Sequence, residues 1–225
     1  EPSMKFRLTY EGELRPTGNE PYAASHTDKL ATHKHGIRRA FHRQLKQLWD
    51  TNKFLKEHRV YPGDYPPKQR AVANDYAIWG GAEDQKIPLQ EAIARLYPMF
   101  GYRFVPLVCA DFSLLCSLDI LFLRRDVPGS ALHAGDIDNR IKTVIDALRL
   151  PANANDLSGN ETPTGDEEPF FCLMEDDKQV SHFAVETDTL LDPPDATEAD
   201  LRKAKIVVTV ELRPYYATMF NLSFA

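Results

Sequence analysis

The segment of residues 112–124 constrains the fold most, because seven of the nine side chains from Leu114 to Phe122 are large and apolar or are cysteine. An apolar run of this length is typical of a central β-strand with both faces covered. It is too short to span a membrane, and no run of eighteen apolar residues occurs anywhere in the chain. We therefore expect a packed core around a sheet, and no membrane partner.

Strand and helix patterns alternate along the rest of the chain. Strands are predicted at residues 4–10, 103–109, 112–124, 170–174, 180–187 and 206–212. Helices are predicted at residues 31–52, 88–99 and 138–150, with a further short helix at residues 195–204. This order predicts an α+β fold, with a mixed β-sheet and helices packed mainly on one face.

The first helix combines an apolar stripe with concentrated positive charge. Its stripe is formed by Ile37, Phe41, Leu45 and Leu48. Residues 28–60 hold nine lysine and arginine residues against three acidic ones, a net charge of +6 in a chain whose total is −6. This asymmetry indicates a polyanionic partner, although a solvated helix face would have the same composition. The candidate nucleic-acid-binding residues are Lys34, Arg38, Arg39, Arg43 and Lys46.

A first group of chemically active side chains lies at the start of the third helix. Asp138, Lys142 and Asp146 are spaced four residues apart and share one helix face, and Asp136 comes just before the first turn. Asn139 borders the buried side. The same residues could instead be a helix cap and a surface ion pair, since aspartate is favoured at helix N-termini.

A second acidic group follows a strand that is apolar throughout. Glu175, Asp176 and Asp177 come directly after residues 170–174. Three neighbouring carboxylates repel one another unless a cation gathers them. Oxygen ligands of this kind suit Mg²⁺, or Mn²⁺, and the absence of cysteine and histidine spacing argues against zinc.

Together the two groups resemble the RusA family of Holliday-junction resolvases. The resemblance runs through Asp136-x-Asp138-Asn139-x-x-Lys142-x-x-x-Asp146-Ala147-Leu148 and then Asp176-Asp177-x-Gln179-Val180. It implies a RusA-like fold in which Asp136, Asp138 and Asp177 bind the metal and Lys142 is catalytic. Asn139, Asp146, Asp176 and Gln179 would then support the metal ligands.

The resemblance also implies a reaction and its partners. We expect a Mg²⁺-dependent endonuclease that acts as a homodimer on branched DNA, such as a four-way junction, without a small-molecule cofactor. The metal would polarise the scissile phosphate, and Lys142 would offset negative charge that develops on it. A non-catalytic binding or regulatory module that reuses the fold is the alternative, and a nuclease that acts on RNA or phage-derived DNA is a third hypothesis.

The remaining features concern organisation and compartment. Residues 1–3 look like an expression leftover, and residues 4–225 are expected to form one RusA-like domain with insertions at residues 61–99 and 152–169. No secretory leader opens the chain, which favours the cytoplasm. Cys109, Cys116 and Cys172 share no metal-binding spacing, so they are predicted to be small buried hydrophobic residues.

Overall fold

A computed structural model describes residues 4–15, 24–60, 86–125, 135–157, 162–191 and 203–217, together with residues 221 and 224. At residues 24–28, 135 and 136 only the backbone is described. The fold is α+β with mixed sheets, as the order of sequence patterns predicts. No helix in the described ranges is long and apolar enough to cross a membrane.

The larger sheet has four strands. They are β1 (Lys5–Glu13), β6 (Leu114–Arg124), β8 (Val180–Thr189) and β9 (Lys203–Pro214), in the spatial order β1-β9-β6-β8. Strand β9 is antiparallel to both of its neighbours, whereas β6 and β8 are parallel. The two central strands alternate buried and partly exposed side chains along their length, so one face of the sheet packs on the core.

The prediction that both faces of the apolar strand are covered is wrong. In β6, Leu118, Ile120 and Phe122 are buried, whereas Leu121 is only partly buried and Asp119 is exposed. The side chains that alternate with them lie on the less buried face of the sheet, and β6 occupies a central position between β9 and β8. The described layers therefore bury only one face of this strand.

A strand buried on every side chain occurs in the second sheet instead. This sheet consists of β4 (Pro98–Met99), β5 (Tyr102–Val108) and β7 (Phe170–Met174), and β5 runs parallel to β7. All five side chains of β7 are buried. The two longer strands continue into the larger sheet, β5 through a turn into β6 and β7 through another turn into β8. The two turns lie side by side because both strand pairs are parallel.

Two long helices cover the core. Helix α1 (Ala24–Thr51) and helix α4 (Gly135–Leu148) pack on each other, and their apolar stripes join the buried face of the larger sheet in one cluster. The stripe predicted on α1 is confirmed, and so is the one that the sequence predicts on α4 through Ile141, Val144, Ile145 and Leu148. Both helices begin earlier than predicted, α1 by seven residues and α4 by three, because the residues before each stripe contribute little apolar periodicity.

The shorter elements lie around these layers. Helix α2 (Lys53–Glu57) follows α1, with Asn52 accepting a hydrogen bond from the Leu55 N–H at 3.1 Å as its N-cap. Strands β2 (Arg59–Val60) and β3 (Ile87–Pro88) pair, and helix α3 (Leu89–Ala94) follows.

The predicted insertions and the last predicted helix are only partly described. Residues 61–85 of the first insertion lie outside the described ranges, while residues 86–99 form β3, α3 and β4. The second insertion has a 3₁₀ helix at Ala154–Leu157. The helix predicted at residues 195–204 lies mostly outside the described residues, and its last two positions belong to β9. All three cysteines are free and buried, as predicted, and burial raises the pKa of each thiol to about 12.

Candidate carboxylate site

The first turns of α4 carry part of the predicted site. Asp138 and Lys142 are exposed and lie one helical turn apart, whereas Asn139 is half-buried. Asp136 lies within the helix rather than before it, because α4 begins at Gly135. The Asp136 side chain is not among those described. The exposed face of α4 therefore presents a carboxylate and an ammonium group to solvent side by side.

Asp146, two turns further along α4, is held by two cations. Lys34 Nζ lies 2.6 Å from Asp146 Oδ2, and Arg149 donates to Oδ1 through Nε and Nη2 at 3.3 and 3.2 Å. The Lys34 and Asp146 side chains are each only 14% exposed, so this ion pair is largely removed from water. Asp146 thus joins α1 to α4, and its role in supporting metal ligands stays a prediction.

The acidic residues after β7 are ordered by a capping box. The Asp176 carboxylate accepts the Lys178 N–H at 3.0 Å, and Gln179 Oε1 accepts the Asp176 N–H at 2.8 Å. This reciprocal pair fixes the 3₁₀ turn Asp177–Gln179 at the start of β8. Gln179 Nε2 also donates to Glu175 Oε2 at 3.1 Å. Gln179 therefore orders the acidic turn through Asp176 and Glu175, and its role in supporting metal ligands stays a prediction.

Asp176 is surrounded by groups that favour its charged form. The Lys178 N–H lowers the pKa of Asp176 most; slight burial opposes the shift, and a hydrogen bond with Asp177 and the charges of Lys178 and Arg149 add to it. The acidic turn therefore favours an ionised Asp176.

Arg149 connects the two parts of the sequence motif. It pairs with Met174, the last residue of β7, in an isolated parallel bridge, and the Leu150 N–H donates to the Met174 carbonyl at 3.1 Å. The Arg149 side chain contacts Asp146 and its charge acts on Asp176. The end of α4 and the acidic turn after β7 therefore meet at one point in the fold.

Asp138 and Lys142 lie further along the helix from that point. Eleven residues separate Asp138 from Arg149, which is about 16 Å along a helix axis. No hydrogen bond or ion pair among the described residues joins Asp138 or Lys142 to Asp176 or Asp177. The described side chains also contain no group of three that could hold a metal ion. The set of Asp136, Asp138 and Asp177 as metal ligands therefore stays a prediction.

Two residues near the acidic turn were missed in the sequence. The Tyr97 hydroxyl lies 3.2 Å from Asp111 Oδ2 and 3.4 Å from Glu175 Oε2, and the Ala110 N–H donates to the same Glu175 oxygen at 2.9 Å. Burial is the largest of several causes that raise the pKa of Tyr97 far above its usual value. Asp111 follows the buried strand β5 just as Glu175 follows β7. This shared pattern, an acid after an apolar strand, is the signal that could have identified it.

The predicted nucleic-acid-binding residues of α1 mostly contact the chain itself. Lys34 pairs with Asp146, Arg39 with Glu167 at 2.5 Å and Lys46 with Asp166 at 4.0 Å. Arg38 is 1% exposed and donates to the main-chain carbonyls of Asp146 and Asp156 at 3.0 and 3.4 Å. Arg43 is exposed. Three of the nine positive charges counted in the sequence are therefore paired with acids of the second insertion or of α4.

No family model, curated protein or solved structure matches the chain. The resemblance to RusA-like enzymes therefore rests on the motif residues.

Proposed function

We propose that this chain is a Mg²⁺-dependent endonuclease that hydrolyses DNA phosphodiester bonds, with branched DNA such as a four-way junction as its substrate. The observation that carries the proposal is the ordered acidic turn after the buried strand β7, in which Asp176 caps the turn that contains Asp177. Arg149 ties this turn to the helix that carries Asp138 and Lys142. Sites that act on phosphate esters commonly combine carboxylates with a nearby cationic side chain.

The donor atoms fit a hard divalent cation. Carboxylates such as those of the acidic turn supply oxygen ligands, which Mg²⁺ and Mn²⁺ prefer. Asp136, Asp138 and Asp177 would hold the ion, which would polarise the scissile phosphate when bound.

The side chains of the chain have separate tasks in this proposal. Lys142, exposed one turn from Asp138, would place its ammonium group against a non-bridging phosphate oxygen and offset the charge that develops there. Gln179 holds the acidic turn in place through its bonds to Asp176 and Glu175. Asn139, half-buried beside Asp138, would orient that carboxylate.

The DNA would lie along the exposed side of α1 and α2. The exposed basic residues of these helices are Lys29, Arg43, Lys53 and Lys56. They remain available for phosphate contacts, unlike the buried Arg38. Because only half of the lysine and arginine residues of these two helices are exposed, we expect moderate affinity with a shallow dependence on salt.

A panel of labelled substrates tests the proposal. A four-way junction, a linear duplex, single-stranded DNA and an RNA duplex are each incubated with the full chain in Mg²⁺, in Mn²⁺ and in a chelator. We expect metal-dependent nicks in opposed strands of the junction and much slower cleavage of the linear duplex. A chain that leaves all four substrates uncut in both metals would contradict the proposal, and preferential cleavage of RNA would favour an RNA nuclease.

The alternative is a non-catalytic binding module that reuses the fold. It is favoured by the internal pairing of Lys34, Arg39 and Lys46, which gives the acidic residues of the chain a structural role. This alternative predicts binding of junction DNA or of a protein partner that Asp177→Asn leaves unchanged, without turnover. Metal-dependent cleavage that disappears in Asp177→Asn would rule it out.

A further inference from the structure

Strand β8 is an edge strand with unusual exposure. It pairs with β6 on one side, and on its other side no strand of the described ranges pairs with it. Residues 181–189 are exposed on both faces of the strand, including two large apolar side chains, Phe183 at 44% and Val185 at 36%. An edge with apolar side chains and free backbone groups is a template for pairing with another strand.

The opposite edge of the same sheet is protected. On β1, Gln44 Oε1 accepts the Thr9 N–H at 2.8 Å and Gln44 Nε2 donates to the Thr9 carbonyl at 2.7 Å. A side chain from α1 thus occupies the backbone groups that a further strand would use. Strand β8 contains neither lysine nor proline, which commonly block edges. The two edges of the sheet therefore differ in whether they can accept a strand.

Hydrogen bonding fixes which backbone groups of β8 face outward. The Leu190 N–H donates to the Arg124 carbonyl of β6 at 2.7 Å, so the backbone groups of this even-numbered residue point toward β6. Alternate residues of a strand point to the same edge, so the N–H and carbonyl groups of Phe183, Val185 and Thr187 face away from β6. They are the groups available to a partner strand.

The side chains of β8 are complementary to those of a second, antiparallel β8. When the two strands are centred on Ala184, Phe183 of each lies opposite Val185 of the other, and His182 lies opposite Glu186. Phe183 and Val185 share one face of the strand, and His182 and Glu186 share the other. The register therefore places an apolar pair on one face and an imidazole opposite a carboxylate on the other, twice each by symmetry.

We infer that β8 is the interface through which two copies of this chain associate, joining their larger sheets into one eight-stranded sheet with an antiparallel pair at its centre. In this register Phe183 and Val185 exchange backbone hydrogen bonds, and Ala184 lies on the two-fold axis. His182 also lies 3.4 Å from Asp119 on β6, so its ring contacts an acid within its own subunit as well. The inference rests on the strand itself and does not require the nuclease activity.

A proline substitution tests the backbone pairing. Val185→Pro removes an outward N–H that the described monomer does not use, while Thr189→Pro removes an outward N–H beyond the central overlap. Sedimentation equilibrium at about 5–200 µM chain should show a dimer for the unmodified chain and for Thr189→Pro, and a monomer for Val185→Pro. A monomeric unmodified chain, or a dimer that survives Val185→Pro, would overturn the inference.

Charge reversal tests the register independently. Glu186→Lys should weaken the dimer by about tenfold or more, because His182 of the other copy loses the carboxylate that can accept its ring N–H, at two symmetric positions. The further change His182→Glu should restore most of the affinity by placing a carboxylate opposite the new ammonium group. If Glu186→Lys leaves the dissociation constant unchanged, or the double variant is weaker than the single one, this register is wrong.

Amide exchange gives a readout that does not depend on any variant. The N–H groups of Phe183 and Val185 should exchange more slowly at about 200 µM than at about 2 µM chain, since only the dimer protects them. Exchange rates that are equal at both concentrations would overturn the inference. The two proposals can fail separately. A chain that does not dimerise but still cleaves DNA would contradict the dimer interface and leave the proposed function intact.

Discussion

Lys34 on α1 and Asp146 on α4 form an ion pair of 2.6 Å between two side chains that are each 14% exposed. The pair joins the most basic part of the chain to the helix that carries the predicted catalytic residues. The same aspartate also binds Arg149, whose charge acts on Asp176 in the acidic turn. The geometry of the candidate site therefore depends on contacts that neutralise the basic helix.

The first prediction concerns the stability that this pair contributes. Lys34→Ala should lower the free energy of unfolding by about 1–3 kcal/mol, because it leaves a largely buried carboxylate with one cation fewer. A double-mutant cycle with Asp146→Ala should give a coupling energy of about 1 kcal/mol or more in urea denaturation. Lys29→Ala, an exposed change on the same helix, is the control and should stay within about 0.5 kcal/mol. A coupling energy below about 0.3 kcal/mol would contradict the prediction.

Arg38 should act on folding. Arg38→Met leaves the carbonyls of Asp146 and Asp156 without their guanidinium donor, and we expect a loss of about 2–4 kcal/mol in the free energy of unfolding. Arg38→Lys should recover only part of this, since one ammonium group cannot match the fork of donors. Equal stability of Arg38→Met and the unmodified chain in urea denaturation would show that the buried guanidinium contributes nothing net.

Arg43 should contribute to DNA binding and not to the stability of the fold. It is exposed on α1, so Arg43→Ala should leave stability within about 0.5 kcal/mol. If DNA follows the exposed side of this helix, the slope of log affinity against log salt should fall by about one. Fluorescence anisotropy with a labelled junction across a salt series measures this slope. An unchanged slope and affinity would exclude Arg43 from the DNA-binding surface.

The buried side chain of His35 should make the stability of the chain depend on pH. Burial, followed by the charges of Arg38 and Arg39, lowers the pKa of His35 to about 4, with Glu167 opposing the shift. An unfolded histidine has a pKa of about 6.5, so the unfolded chain binds more protons between these values. The contribution of His35 to the free energy of unfolding is therefore fully present above about pH 6.5 and is lost as the pH decreases toward 4. The loss between pH 7 and pH 5 is about 2 kcal/mol.

A substitution isolates this contribution. His35→Phe keeps an aromatic ring against Phe170, whose centroid is 5.9 Å from that of His35, and removes the titrating group. The variant should lose about 2 kcal/mol less than the unmodified chain between pH 7 and pH 5 in urea denaturation. His42, whose pKa is lowered mainly by burial, contributes in the same direction and remains in both proteins. Identical pH profiles would contradict the assignment to His35.

Local patterns in the sequence were sufficient for the helix stripes, the buried strand β7 and the burial of the cysteines. They failed where burial depends on neighbours distant in sequence. The apolar residues of β6 indicated two covered faces, but the layers formed by the described residues bury only one. Lys34 and Asp146 are 112 positions apart, so their pairing could not be read from a basic helix alone.

The acidic turn shows a different limit. Asp176-x-x-Gln179 fits a capping box as well as it fits a supporting pair in a metal site. Both interpretations use the same residues, because a side chain that orients a turn also orients the carboxylates on it. Sequence spacing predicts that these residues are ordered, whereas the chemistry they perform requires a measurement.

The rate of junction cleavage by Asp177→Asn tests the central claim most directly. Single-turnover cleavage of a labelled four-way junction in Mg²⁺ is compared for the unmodified chain, for Asp177→Asn and for Asp50→Asn, which neutralises an exposed acid on α1. If Asp177 contributes to a catalytic carboxylate site, Asp177→Asn should lower the rate by about a hundredfold or more, while Asp50→Asn stays within about twofold. Equal rates for Asp177→Asn and Asp50→Asn, or an unmodified chain that does not cut the junction, would contradict the claim.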